Sequence, residues 1–272
     1  VTGPTIGGAV GASGAVTNNY AGAGSPDIVG NIRVDQAWGL FQLSGSAHEV
    51  RAGYYTPTNE TSGHPDSKWG GSVMAALQIK NIPTGPGDDI KVDVSYAVGN
   101  TKNVLNTAPQ FAMFGGTSVA GAYQSIGFGT NTDALFGPGG QLELTKAWGI
   151  RGAFNHNWDP YWSSSLFGSY SAVRYNTNAK GLYCGGYAVQ NTGAQSADFS
   201  CNPDFNVSQL GVITRWTPVA NLTFSAEVGA FFLDQKMSGS SVFTATAPKP
   251  TALYEFKDQS TVFLNVRAQR NF

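Results

Sequence analysis

Charge is scarce in this chain of 272 residues. Lys, Arg, Asp and Glu together make up 12% of it, about half the usual share of a soluble domain. The formal net charge is −1, which gives no electrostatic reason to expect nucleic acid as a partner. Long apolar runs are lacking too. The longest charge-free stretch, between Lys102 and Asp133, is full of Asn, Thr, Gln, Ser, Gly and Pro, so no bilayer-crossing helix is expected. The opening Val1-Thr2-Gly3-Pro4 has neither the Met nor the basic and apolar order of a secretion signal. It reads as an interior point of a longer precursor. Only three histidines occur, His48, His64 and His156, without metal-ligand spacing, so neither a metal nor a cofactor is expected. The carboxylates Asp93, Glu143 and Glu227 form no tuned acid–base pair, and no enzyme is expected. Cysteine is limited to Cys184 and Cys201. In a Gly/Asn/Ser-rich stretch they suggest a disulfide that closes a surface loop in an oxidising compartment, with two unpaired thiols as the alternative.

Against these absences stand 35 Gly, 12% aromatics and a strong period of two. Ile90, Val92, Val94, Tyr96 and Val98 alternate with Lys91, Asp93 and Ser95. Leu222, Phe224, Ala226, Val228, Ala230 and Phe232 alternate with Thr223, Ser225 and Glu227. Val262, Leu264, Val266 and Ala268 alternate with Thr261, Phe263, Asn265, Arg267 and Gln269. Such alternation places one residue class on each face of a strand. The pattern predicts nine strands, near 27–35, 39–51, 68–80, 89–98, 141–155, 161–175, 206–217, 221–234 and 258–272. A strand of about 13 residues rises roughly 43 Å at ~3.3 Å per residue. Tilted by ~45°, it spans ~30 Å, the thickness of a bilayer's hydrocarbon core.

Connections alternate as well: short near 36–38, 81–88, 156–160 and 218–220, long near 52–67, 99–140, 176–205 and 235–257. Outer-membrane barrels sort short periplasmic turns from long extracellular loops in this way. Trp38, Trp158, Trp162 and Trp216 lie beside short turns, where a membrane–water interface favours an indole with one apolar side and a wet N–H. The polar faces carry Ser163, Ser165, Ser169 and Ser171, Gln42, Ser44, Ser46 and His48, and the charges Arg33, Lys91, Asp93, Glu143, Arg151, Arg215, Glu227 and Arg267. Burying such groups dry and unpartnered costs several kcal/mol each. One face of each strand must therefore meet water and the other a non-aqueous phase. The expectation is an all-β, transmembrane antiparallel β-barrel occupying residues 1–272 as one domain, with these eight charges lining a watery lumen. Lys146 and Arg270 interrupt the apolar face near strand ends, where a long side chain can snorkel. Nine strands would leave open edges in lipid, which calls for additional strands, most simply upstream.

Four stretches carry a resemblance: Ser25-Pro-Asp-Ile-Val-Gly-Asn-Ile-Arg-Val-Asp-Gln-Ala-Trp-Gly39, Leu144-Thr-Lys-Ala-Trp-Gly149, Cys201-Asn-Pro-Asp204 followed by Trp216-Thr-Pro218, and the ending Arg267-Ala-Gln-Arg-Asn-Phe272. With them the chain resembles the general porins of alphaproteobacteria, the Rhizobium–Brucella–Bradyrhizobium type. That resemblance implies the C-terminal portion of a 16-stranded homotrimeric barrel in the bacterial outer membrane. It further implies contact with outer-membrane lipid and lipopolysaccharide, and passive diffusion of small hydrophilic solutes and ions. Phe272 would be the assembly signal. The family's inward-folded constriction loop is expected to precede Val1, so no constriction residue is carried over. A substrate-specific channel and a secreted soluble β-protein, an adhesin or lectin, are the alternatives.

Overall fold

Period-two alternation becomes antiparallel pairing. The computed structural model describes residues 20–56, 58–105, 110–190, 193–243 and 249–271. Among them, one sheet holds nine strands in the order β1 (Ile28–Gln36), β2 (Gly39–Val50), β3 (Lys68–Lys80), β4 (Asp89–Val98), β9 (Lys146–Asn157), β10 (Trp162–Arg174), β11 (Phe205–Val219), β12 (Leu222–Gln235) and β15 (Gln259–Arg270). Every neighbour pair is antiparallel. Short connections gather at one end of the sheet and long ones at the other. The short turns hold non-glycine residues in the left-handed region, Asn81 (φ 55°) and Asn221 (φ 66°), a conformation Asn tolerates because its side chain bonds locally.

Inside the long connections the chain builds a second layer. β5 (Gln110–Gly116) and β6 (Gln124–Thr130) come from the connection after β4. β13 (Ser240–Phe243) and β14 (Ala252–Phe256) come from the connection after β12. The four pair in the order β13-β14-β6-β5, with β14 parallel to β6. A short pair, β7 (Ala134–Leu135) with β8 (Glu143–Leu144), and one helix, α1 (Thr177–Gln190), complete the layer. The helix starts on Asn176, whose Oδ1 accepts the Ala179 N–H at 2.8 Å, and buries Ala179, Tyr183 and Tyr187 along one side. Cys184 and Cys201 form a disulfide that ties the helix to the chain entering β11.

The structure corrects the expected strand at 141–155. The sheet strand begins at Lys146, and Glu143–Leu144 pairs with Ala134–Leu135 instead. Thr145 breaks the run: its N–H is taken by the Asp133 carbonyl and its carbonyl by the Gly99 N–H. Leu142 is thereby buried with Val50, Phe136 and Ala134. The final strand ends at Arg270, and Phe272, the expected assembly signal, lies outside the described residues.

The main buried cluster sits where the loop layer meets the long-loop end of the sheet. Ile126, Phe128, Tyr183, Tyr187, Tyr254 and Phe256 from the loops pack with Ala97, Ala147, Val173, Phe205 and Leu233 from the strands. Among the described residues, no layer covers the opposite face of the sheet. Val94, Leu166 and Val228 there are 49%, 53% and 49% exposed, although they lie mid-strand.

Candidate functional site

Among the described residues the loop layer covers one face of the sheet, and the register says which residues share that face. Asn103 Nδ2 donates to Ser46 Oγ on β2 at 3.1 Å and to Ser72 Oγ on β3 at 2.9 Å. On the far side, the Phe111 ring lies 5.7 Å from Phe205 and stacks at 6.0 Å on Phe231. Gln259 Nε2 donates to Ser125 Oγ at 3.0 Å. The connection after β4 therefore touches the same face at β2–β3 and again at β11, β12 and β15. It crosses the sheet's width inside its own chain. Sequence reading missed it because β5 and β6 read as Gly- and Ser-rich loop.

Rows of directly opposed residues run across this face. The two rows nearest the long-loop end are plastered by the loops: Ala97, Ala147, Val173 and Phe205, then Ser95, Gly149, Ser171, Val207 and Leu233. Below them the face turns polar. The next row holds Arg33, Gln42, Ala76, Asp93, Arg151, Ser169 and Gln209. Lys91 lies in the following row, opposite Gln78 and Ala153. Then come Asp89, Asn155, Ser165, Ile213 and Glu227, and finally Asn157, Ser163, Arg215, Ser225 and Arg267. Seven of the eight expected wall charges thus share one face. The eighth, Glu143, lies off the sheet in β8, where its carboxylate accepts from Asn176 Nδ2 at 2.7 Å and Asn178 Nδ2 at 3.2 Å.

Charge is distributed unevenly along the wall. On β1–β9 cations meet carboxylates: Arg33 and Lys80 both on Asp35 at 3.1 and 2.9 Å, Lys91 on Asp89 at 3.1 Å, and Arg151 on Asp93 at 2.8 Å. On β11–β15 Arg215 donates to Ser165 Oγ at 2.7 Å. Among the described residues neither Arg215 nor Arg267 has a carboxylate within ion-pair distance. The wall is also smoothed by aromatic rings laid over glycine. A Cβ on Gly211 would stand 2.5 Å from Phe167 Cζ, and one on Gly229 equally close to Phe263 Cζ. Glycine at both sites lets each ring lie against the sheet of the neighbouring strand.

The uncovered face has the opposite chemistry: Ile32, Leu43, Val73, Val94, Ile150, Leu166, Val212, Val228 and Leu264 are exposed on it. Near the short turns it carries aromatics. Trp162 stacks on Trp216 at 5.7 Å, and Trp216 on Phe224 at 5.5 Å. Trp158 lies in the next turn, with His156 edge-on at 4.3 Å, and Trp38 in the β1–β2 turn is 53% exposed. All four expected tryptophans lie at the short-turn end. Among the described residues no three His, Cys, Asp or Glu side chains gather as a metal site.

A family model described as a porin subfamily matches residues 6–265. No curated protein sequence matches the chain. Among solved structures, the outer membrane channel DcaP of Acinetobacter baumannii is similar, with a TM-score of 0.50 and 15% identity. The match covers 92% of this chain and 52% of DcaP, so the chain spans about half the length of that channel. The likeness is one of fold.

Proposed function

The chain belongs to the porin subfamily, and from that premise we propose that it forms part of the wall of a water-filled channel in the bacterial outer membrane, through which small hydrophilic solutes and ions diffuse passively. One observation carries the reading: the two faces of each long strand are made for different media. The uncovered face presents a continuous field of large apolar side chains, of a size that soluble proteins avoid exposing. The loop-bearing face presents rows of Ser, Asn, Gln and paired charges, which need water. Hydrocarbon outside and water inside satisfy both.

Closure follows from strand direction. With all neighbours antiparallel in a nine-stranded order, β1 and β15 run the same way and cannot pair antiparallel with each other. An odd number of further strands completes the barrel, and the even total agrees with the usual rule for such barrels. The sixteen strands and homotrimer implied by the alphaproteobacterial resemblance meet this parity.

In this channel Arg33, Lys91, Asp93, Arg151, Arg215, Glu227 and Arg267 line the lumen and bias ion selectivity, while the connection after β4 narrows it from the long-loop side. The long loops face the exterior, the tryptophans of the short-turn end sit at the periplasmic interface, and Phe272 serves as the assembly signal. Reconstitution of the intact protein into a planar bilayer tests the proposal. Stepwise conductance is expected, and absence of conductance from correctly inserted protein would contradict it.

A further inference from the structure

Two phenyl rings reach toward each other over a pair of facing glycines. Phe167 on β10, Gly211 on β11, Gly229 on β12 and Phe263 on β15 stand in one row of the loop-bearing face. A Cβ on either glycine would meet the neighbouring ring at 2.5 Å. Both glycines are buried, while both rings stay partly exposed. Together the rings form an apolar plate on a wall otherwise made of Ser, Asn, Gln and charge. One row toward the long-loop end, Phe231 extends the apolar surface, held by its stack on Phe111 at 6.0 Å.

Opposite charges lie on the other side of the plate. The next row toward the short turns holds Ser165, Ile213 and Glu227, and the row after it Arg215. Arg215 leaves its own row: its Nη1 donates to Ser165 Oγ at 2.7 Å, on a serine only 4% exposed. The guanidinium is thereby raised to the level of Glu227, and the two stand on either side of Ile213. Two strand spacings of ~4.8 Å set them roughly 10 Å apart. Among the described residues Glu227 forms no ion pair and no hydrogen bond, and Arg215 pairs with no carboxylate. Both lie on strands flanked on each side within the sheet, so neither is an edge group awaiting a further strand. A cation and a carboxylate held apart beside an apolar plate complement a molecule that carries the reverse pair and a flat apolar group.

On these grounds, and resting on the channel reading above, we infer that this part of the wall is a seat for a zwitterionic α-amino acid with an aromatic side chain. Its carboxylate accepts from Arg215, its ammonium donates to Glu227, and its ring lies on the Phe167–Phe263 plate. Such a zwitterion, with ~3 Å between its nitrogen and a carboxylate oxygen and a charge-assisted hydrogen bond of ~2.8 Å at each end, bridges ~8 Å. That fits between the two side chains. A solute with only one of the charges leaves the other wall group unmatched, which is the source of selectivity.

Planar-bilayer recording of the intact protein, with L-phenylalanine as probe, tests the seat. The expected result is a concentration-dependent interruption of the current. The half-blocking concentration should rise about tenfold in Glu227→Gln and in Arg215→Gln, the scale of one hydrogen bond to a charged group. Phenylalanine methyl ester, which lacks the carboxylate, and 3-phenylpropionate, which lacks the ammonium, should block the wild type about tenfold less well than phenylalanine. The ester should match phenylalanine in Arg215→Gln, and 3-phenylpropionate should match it in Glu227→Gln. Phe263→Ala should weaken the block by phenylalanine and leave any block by glycine unchanged. Equal block by the three aromatic probes in the wild type, or an unchanged block by phenylalanine in either charge variant, overturns the inference. Steady conductance that phenylalanine never interrupts refutes the seat alone. Absence of conductance from correctly inserted protein refutes the channel and the seat with it.

Discussion

Arg151 lies directly opposite Asp93 across the β4–β9 pair, and its Nε and Nη2 both donate to a single carboxylate oxygen, Oδ1, at 2.9 and 2.8 Å. The pair sits in the first row of the loop-bearing face that the loop layer leaves polar. It is a half-exposed ion pair, with side chains 48% and 25% accessible, so its contribution to stability is small; in the proposed channel its effect would fall on passing ions.

Arg151→Glu therefore replaces a neutralised pair with two adjacent carboxylates. Reversal potentials in a salt gradient should move toward cation selectivity, with folded yield in the membrane nearly unchanged. Arg215→Glu should act in the same direction, because Arg215 donates to the Ser165 hydroxyl and, among the described residues, pairs with no carboxylate. Loss of assembly in both variants would contradict their placement in water.

Val228 offers the contrasting case. It lies mid-strand on the uncovered face of β12, opposite Val212 and Leu264. Val228→Arg should destabilise the inserted protein by ~2–4 kcal/mol, the penalty for a charge near the bilayer midplane. Urea-driven unfolding from lipid vesicles measures it, and an unchanged midpoint would refute the outward assignment.

The crossing segment predicts a size effect. Excising residues 110–130 removes β5 and β6, with the Phe111 stacking on Phe231 and the Ser125 contact to Gln259. On the proposed reading, in which the segment narrows the lumen, single-channel conductance should rise. Unaltered conductance in a folded variant would mean that the segment stands clear of the ion path.

The disulfide belongs to the loop layer. Its cysteines are 17 residues apart, and closing a loop of that size is worth about 3 kcal/mol on the chain-entropy argument. Cys184→Ser should speed proteolysis within 177–204 and leave conductance in place. A closed channel would contradict a purely bracing role.

Nine sheet strands were legible because each is long and alternates over its whole length. Lys68–Lys80 and Asp89–Val98 fall where the pattern puts them. The loop layer was not legible because its pairs join distant segments: Glu255 opposes Ser125 and Phe256 opposes Ile126, contacts that no local period encodes. Helix α1 was hidden by Gly181, Gly185 and Gly186 in its interior, which lower helix propensity. Yet Ala179, Tyr183 and Tyr187 recur at the helical spacing, and Asn176 is a good N-cap. The shared face of the seven charges was legible where alternation was strict. Glu143 was misplaced because Thr145 interrupts the strand without any turn residue to announce it.

Acid dependence should show at the short-turn end. Asp88 lies in the β3–β4 connection. Burial alone would raise its pKa, but the Asn157 backbone N–H, the Thr84 hydroxyl and the His156 ring donate to the carboxylate and hold it at about 2. An unfolded aspartate titrates near ~3.9, so in between the unfolded chain binds more protons than the folded one. The stabilisation is complete above about pH 4 and is lost as pH falls through the folded value. Trp158, in contact with His156, should report a fluorescence change across that window in the wild type that Asp88→Asn lacks. Identical acid profiles would refute the anchoring role.

The central claim is that successive residues of one strand face different media, and β12 tests it most directly. The two native cysteines are joined, so single cysteines can be placed at Ser225, Ala226, Glu227, Val228 and Ala230 and challenged with a water-soluble thiol reagent in intact membranes. The account predicts labelling at Ser225 and Glu227 and protection at Ala226, Val228 and Ala230. Uniform labelling along the strand, or the reverse alternation, would contradict it.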